Sequence, residues 1–90
     1  MTGRYTVLLT PPAKRALTET LPPSVAAAAW ELISGALAVD PWRMGKPLHG
    51  PYEGLHTARR GTYRILYKID EGKSAIEIRS IRHRADAYRT

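Results

Sequence analysis

The sequence predicts an α+β domain in which a two-helix hairpin covers one face of an antiparallel sheet. Three observations predict it. Apolar residues recur at helical spacing in two consecutive segments, Ala13, Ala16, Leu17 and Leu21, then Val25, Ala29, Leu32, Ile33, Ala36 and Leu37. Residues 63–69 alternate at period two, with Tyr63, Ile65, Tyr67 and Ile69 on one face and Arg64, Leu66 and Lys68 on the other. At 90 residues and 43% hydrophobic content, the chain suffices for one small core and leaves no room for a second domain.

Residues 4–10 are rich in strand formers and open the domain as a strand. Thr10 before Pro11 and Pro12 reads as a helix N-cap with proline in the first turn, so a helix follows over 13–21. Pro22 and Pro23 end it and open a second helix over 24–38, which Asp40 and Pro41 stop. Residues 41–51 carry Pro41, Gly45, Pro47, Gly50 and Pro51 and read as a loop. Residues 52–60 are a weak strand, with Gly61 and Thr62 as a tight turn. The alternating strand 63–69 turns back through Asp70 to Lys73 into a strand over 75–82. In that strand Ile76 and Ile78 share a face but Ile81 breaks the parity, which predicts a bulge or an exit from the sheet near Ser80. Residues 83–90 form a basic tail. The expected order is β-α-α-β-β-β, its last three strands an antiparallel meander.

Composition narrows the chemistry. The chain holds no cysteine, which excludes a disulfide scaffold, a Cys-ligated zinc site and a thiol nucleophile. No leader segment and no run of membrane-spanning length is visible, so a soluble, cytoplasmic protein is expected. Net charge is +6 and uneven: residues 1–50 carry five basic and three acidic side chains, residues 51–90 nine and five. Such a surface suits an anionic partner, nucleic acid or acidic protein.

Phosphate-binding glycine loops are absent, and His49, His56 and His83 lack the i, i+4 spacing of a helical metal site. No cofactor is expected. The sequence instead gathers arginines beside tyrosines. A meander folds Arg64 near the strand 75–82 and the segment after it, so Arg64, Arg84 and Tyr88 can converge at one end of the open sheet face. Guanidinium groups hold phosphate bidentately, and a tyrosine can stack on a base or pass a proton. Trp30 and Trp42 read as core or loop anchors, and become partner-site candidates if exposed.

Four segments together resemble the RelE/ParE superfamily of type II toxins, closest to the actinobacterial RelE-like toxins. They are Gly45-Lys46-Pro47-Leu48, Gly54-Leu55, the stretch from Arg59 through Gly61, Tyr63 and Arg64 to Tyr67, and the stretch from Ile81 through His83, Arg84, Asp86 and Tyr88 to Arg89. Leu55 to Gly61 carries the actinobacterial likeness. The resemblance implies a small RelE-like fold and a ribosome-dependent endoribonuclease that cuts mRNA in the A site. It implies metal-free chemistry, in which the ribose 2′-oxygen attacks the adjacent phosphate. By motif, Arg64 would hold the scissile phosphate, Arg84 would neutralise the leaving oxygen or transition-state charge, and Tyr88 would stack on and orient the base. Arg59 would steer RNA, and Arg60, Lys68, Arg79, Arg82 and Arg89 are the further candidate RNA contacts.

Well-studied members of the family that it resembles place a lysine or arginine two residues before the Arg59 position, and sometimes another two before that. Here those positions are Thr57 and Leu55. With the strand-borne base missing, His83 is the substitute candidate and His56 a weaker one, since histidine's ordinary pKa of about 6.5 suits proton transfer near neutral pH. The resemblance also implies a RelB-like antitoxin, an acidic chain that folds over the toxin to give a hetero-oligomer, alongside ribosome and mRNA as partners. Two alternatives stand beside this reading: a ParE-like DNA gyrase inhibitor without nuclease chemistry, and a catalytically weak antitoxin-binding module.

Overall fold

The computed structural model describes residues 4–83. Strand β1 (Thr6–Leu9) leads into helix α1 (Pro11–Arg15), which continues into a wider π-helical turn over Ala16–Thr20. Helix α2 (Pro23–Leu32) likewise ends in a π-helical turn, Ile33–Leu37. A short helix α3 (Pro41–Met44) and a two-residue strand β2 (Lys46–Pro47) follow, then β3 (His56–Arg60), β4 (Tyr63–Asp70) and β5 (Ala75–His83).

Local chemistry accounts for these elements. The Thr10 hydroxyl accepts a hydrogen bond from the Ala13 N–H at 3.4 Å while donating toward the Ile78 and Arg79 carbonyls, both at 2.9 Å, so one side chain caps α1 and ties it to β5. Gly61 between β3 and β4 has φ of +61°, a conformation that suits glycine. Ser74 takes φ of +47° in the turn before β5, where the Lys73 N–H donates to Asp70 Oδ1 at 3.1 Å.

The sheet has five strands in the order β1-β5-β4-β3-β2, with β1 parallel to β5 and the other neighbours antiparallel. The helices cover one face. Ala13, Ala16, Ala29, Leu32, Ile33 and Leu37 meet Ala58, Tyr63, Ile65, Tyr67, Ile76, Ile78 and Ile81 in a single core. The other face carries no helix among the described residues.

The expected α+β class and the meander are therefore present. The segment 41–51 differs from the expected loop. Pro41 opens α3 because its fixed φ suits a first helical turn, and Lys46–Pro47 pairs with β3 at the sheet edge, where proline's missing N–H leaves no ladder bond unmade. The predicted bulge is real. Leu66 stands opposite Ser80 while Tyr67 stands opposite Ile78, which leaves Arg79 as the extra residue of β5.

Candidate functional site

Register decides which cations meet. Arg59 on β3 stands directly opposite Arg64 on β4, and Arg64 stands directly opposite Arg82 on β5. Strand residues in direct register share a face, and the neighbours Ala58, Ile65 and Ile81 are buried in the core. The three arginines therefore form one row across the open face. Such a row of cations on one face suits a bound polyanion.

Beside the row lies a cleft of about 390 Å³ lined by Met44, Gly45, Lys46, Thr57, Ala58, Arg59 and Arg64. Lys46 is in direct register with Thr57, so it shares the open face with the arginines. The Thr57 hydroxyl is shielded from solvent and has no hydrogen-bond partner within the protein. Lys46 and Thr57 were not among the residues expected from sequence. The signal that finds Lys46 is its position before a proline that pairs as an edge strand, and that pairing emerges only in the fold.

Further along the same face Lys68 stands opposite Glu77, and the Arg79 Nε donates to Glu77 Oε1 at 2.5 Å. Lys68 and Arg79 thus extend the basic surface, with Glu77 neutralising part of it. Arg60 falls elsewhere. It pairs with Tyr63, whose ring is in the core, so alternation puts Arg60 on the helix side of the sheet end.

Both histidines considered as proton acceptors lie off the open face. His83 pairs with Tyr63 at the end of β5 and so stands on the helix side, opposite in sense to Arg64. The period-two alternation of β4 and β5 causes this. His56 is buried, with its ring stacked on Tyr67 at 5.6 Å and met edge-on by Trp42 at 5.2 Å. Its burial lowers the imidazole pKa and favours the neutral ring. Arg84, Tyr88 and Arg89 lie outside the described residues.

The cleft wall is anchored from below. The Tyr67 hydroxyl donates to the Pro41 carbonyl at 2.6 Å, and burial pushes its pKa up to about 12, so it remains a donor. Glu71, in the turn after β4, accepts from the Tyr5 hydroxyl at 2.6 Å and from the Trp42 indole N–H, and these bonds lower its carboxyl pKa. Trp42 is 52% exposed and Trp30 45% exposed, which makes both candidates for a protein partner rather than buried anchors. Trp30 edges an apolar groove lined also by Leu9, Leu17, Ala26 and Ala27. No helix among the described residues is long and apolar enough to cross a membrane.

Comparison with known proteins agrees with this architecture. Residues 7–88 match the family model for the ParE toxin of the type II toxin–antitoxin system parDE. Two Mycobacterium tuberculosis proteins, toxin RelE and toxin RelG, are each 47% identical over 85 residues, which is 94% of this chain and 87% and 97% of theirs. Among solved structures, the toxin–antitoxin complex RelBE2 from M. tuberculosis superposes with a TM-score of 0.87 at 44% identity, covering 96% of this chain and 98% of that one. The isolated E. coli RelE toxin superposes with a TM-score of 0.71 at 15% identity over 88% of this chain and 83% of its own, a likeness of fold alone. The match spans nearly the whole chain in sequence and in structure, and the chain belongs to the RelE/ParE superfamily of type II toxin–antitoxin toxins.

Proposed function

We propose that this toxin is a ribosome-dependent endoribonuclease that cuts mRNA in the A site of translating ribosomes in the cytoplasm. The observation that carries the reading is the row Arg59, Arg64 and Arg82 on an open sheet face beside a cleft. Fixed guanidinium donors suit a phosphate that gains charge under attack, and they need no metal to do so. In the step proposed, the ribose 2′-oxygen forms a bond to the adjacent phosphorus and the bond to the 5′-oxygen breaks. The 2′ proton passes to a base, the leaving oxygen takes up a proton, and a 2′,3′-cyclic phosphate remains.

Arg64, at the centre of the row, is assigned the scissile phosphate. Arg59 and Arg82 flank it along the RNA backbone, and Lys68 and Arg79 extend the track. By resemblance to the family, Arg84 neutralises the leaving oxygen and Tyr88 stacks on the base. His83 stands on the helix side of the sheet and is not assigned the base. The inhibitory partner is an antitoxin of the RelB kind, in keeping with the RelBE2 complex as a structural neighbour, with Trp30 exposed at an apolar groove and with the exposure of Trp42.

The test is to map mRNA 5′ ends in a purified translation reaction with and without the antitoxin-free toxin. New ends at A-site codons, lost in Arg64→Ala and absent without ribosomes, are expected. A second reading, inhibition of DNA gyrase without nuclease chemistry, is favoured by the match to the ParE family model and by a neutral threonine at position 57. A well-folded toxin that makes no new ends but blocks supercoiling by gyrase would replace the first reading with the second.

A further inference from the structure

The cation row stops short on one side. Directly across from Arg64 and Arg82 the row is complete, but the next open-face position along β3 is Thr57, which carries no charge. Leu66 and Ser80 continue that row of register partners across β4 and β5, and they are uncharged as well. The row Thr57, Leu66 and Ser80 would leave the second phosphate of a bound strand facing neutral side chains. Its register continues at the sheet edge, however, and ends in Lys46.

We propose that Lys46, on the edge strand β2, is a phosphate-binding residue of the RNA site, supplying from the neighbouring strand the charge that β3 lacks at Thr57. Three observations support the assignment. Lys46 is in direct register with Thr57 and so shares the face of the arginine row. Lys46, Thr57, Arg59 and Arg64 line the same cleft. The backbone that carries Lys46 is held in place: the preceding Gly45 packs so closely that an added Cβ would lie 2.6 Å from the Thr57 carbonyl oxygen, and the Tyr67 hydroxyl bonds Pro41 at the start of α3.

A threonine at 57 has a physical role in this arrangement. Two ammonium groups in direct cross-strand register would repel, whereas a short neutral side chain leaves the floor of the cleft to one lysine reaching from the edge. Lys46 then donates hydrogen bonds to a non-bridging oxygen of the phosphate next to the one held by Arg64. No proton changes hands, because the ammonium acts as a fixed charge. The inference rests on the nuclease reading for what is cut, but binding alone decides it.

The experiment measures binding of a 2′-O-methyl RNA oligonucleotide, which cannot be cleaved by 2′-oxygen attack, to the full-length toxin over a salt series. Lys46→Gln should weaken binding and reduce the slope of log affinity against log salt by about 0.7, the value for neutralising one phosphate fewer on single-stranded RNA. Lys73→Gln, in the turn at the far end of β4, is the control and should leave the slope unchanged. An unaltered slope in Lys46→Gln, or an equal drop in Lys73→Gln, overturns the inference.

Cleavage in the translation reaction then places the lysine in the mechanism. Lys46→Gln should slow cleavage by about tenfold to hundredfold, the loss of one charge-assisted phosphate contact, and Lys46→Gln/Thr57→Lys should recover most of it by returning the charge through β3. A defect that Thr57→Lys does not recover would overturn the assignment of Lys46 as the stand-in for a charge on β3. Absence of cleavage by the unaltered toxin would remove the nuclease reading while leaving the binding result to stand or fall by the salt slope. Thermal unfolding of each variant separates a binding defect from loss of fold.

Discussion

Gly45 and Tyr67 are packed so closely that a Cβ on the glycine would lie 2.4 Å from the tyrosine hydroxyl oxygen. The contact clamps the segment between α3 and β2 onto the centre of the sheet and thereby sets where the cleft begins. Gly45→Ala should lower stability by about 1–3 kcal/mol through overpacking. Tyr67→Phe in the same background removes one of the two clashing oxygens, while the Thr57 carbonyl at 2.6 Å remains. Urea unfolding of the single and double variants should therefore give a non-additive pair with partial relief.

Arg64→Ala should abolish growth arrest in cells that express the toxin without antitoxin. The protein should stay folded, because Arg64 lies on the open face and contributes nothing to the buried core. Growth curves paired with circular dichroism of the purified variant check both halves. Full toxicity from a soluble Arg64→Ala protein would take the central arginine out of the reaction.

Tyr63 separates ring from hydroxyl. Its ring is buried in the core, but its hydroxyl is buried without a hydrogen-bond partner, and burial raises its pKa. Tyr63→Ala should cost about 3–5 kcal/mol. Tyr63→Phe should be neutral or slightly stabilising, since it removes a polar atom that gains nothing in the fold. Chemical denaturation of the two variants should give opposite results.

His56 gives stability a pH dependence with a definite sign. Burial depresses its pKa below the ordinary value of 6.5, so the folded state prefers the neutral ring. Its contribution is fully present above about pH 6.5 and is lost as pH falls through the lower folded value. Unfolding free energy measured from pH 7.5 downward should fall in that window. His56→Phe should flatten this part of the curve.

Much of this arrangement was legible in the sequence because its signals are local. Alternation in residues 63–69 identified the core face of β4, and helical spacing found Ala29, Leu32, Ile33 and Leu37. The arginines were visible as residue types, and the superfamily resemblance rested on their spacing with glycine and tyrosine. What escaped depended on pairing between distant segments. Pro47 and Gly45 looked like loop punctuation because nothing local shows that a two-residue strand will find β3. His83 was chosen as a base for its ordinary pKa, whereas its position one step beyond Arg82 along the strand puts it on the other face. Arg82 was legible as the last residue of a strand and a candidate RNA contact, yet only its register makes it the direct neighbour of Arg64.

The bulge in β5 gives the basic row its phase. Ile76 and Ile78 face the core, and unbroken alternation would send Arg82 to the core side and Ile81 outward. One surplus residue at Arg79 inverts the count, so Ile81 is buried and Arg82 emerges beside Arg64. The basic face is therefore encoded in the spacing of β5 as much as in its side chains. Inserting one residue after Ser80, with the bulge kept, would retain every arginine of the chain and still dismantle the row by turning Ile81 outward and Arg82 to the core, a frameshift of geometry rather than of codons. Two chains with the same cations at this strand and a one-residue difference in length would present different faces to a polyanion.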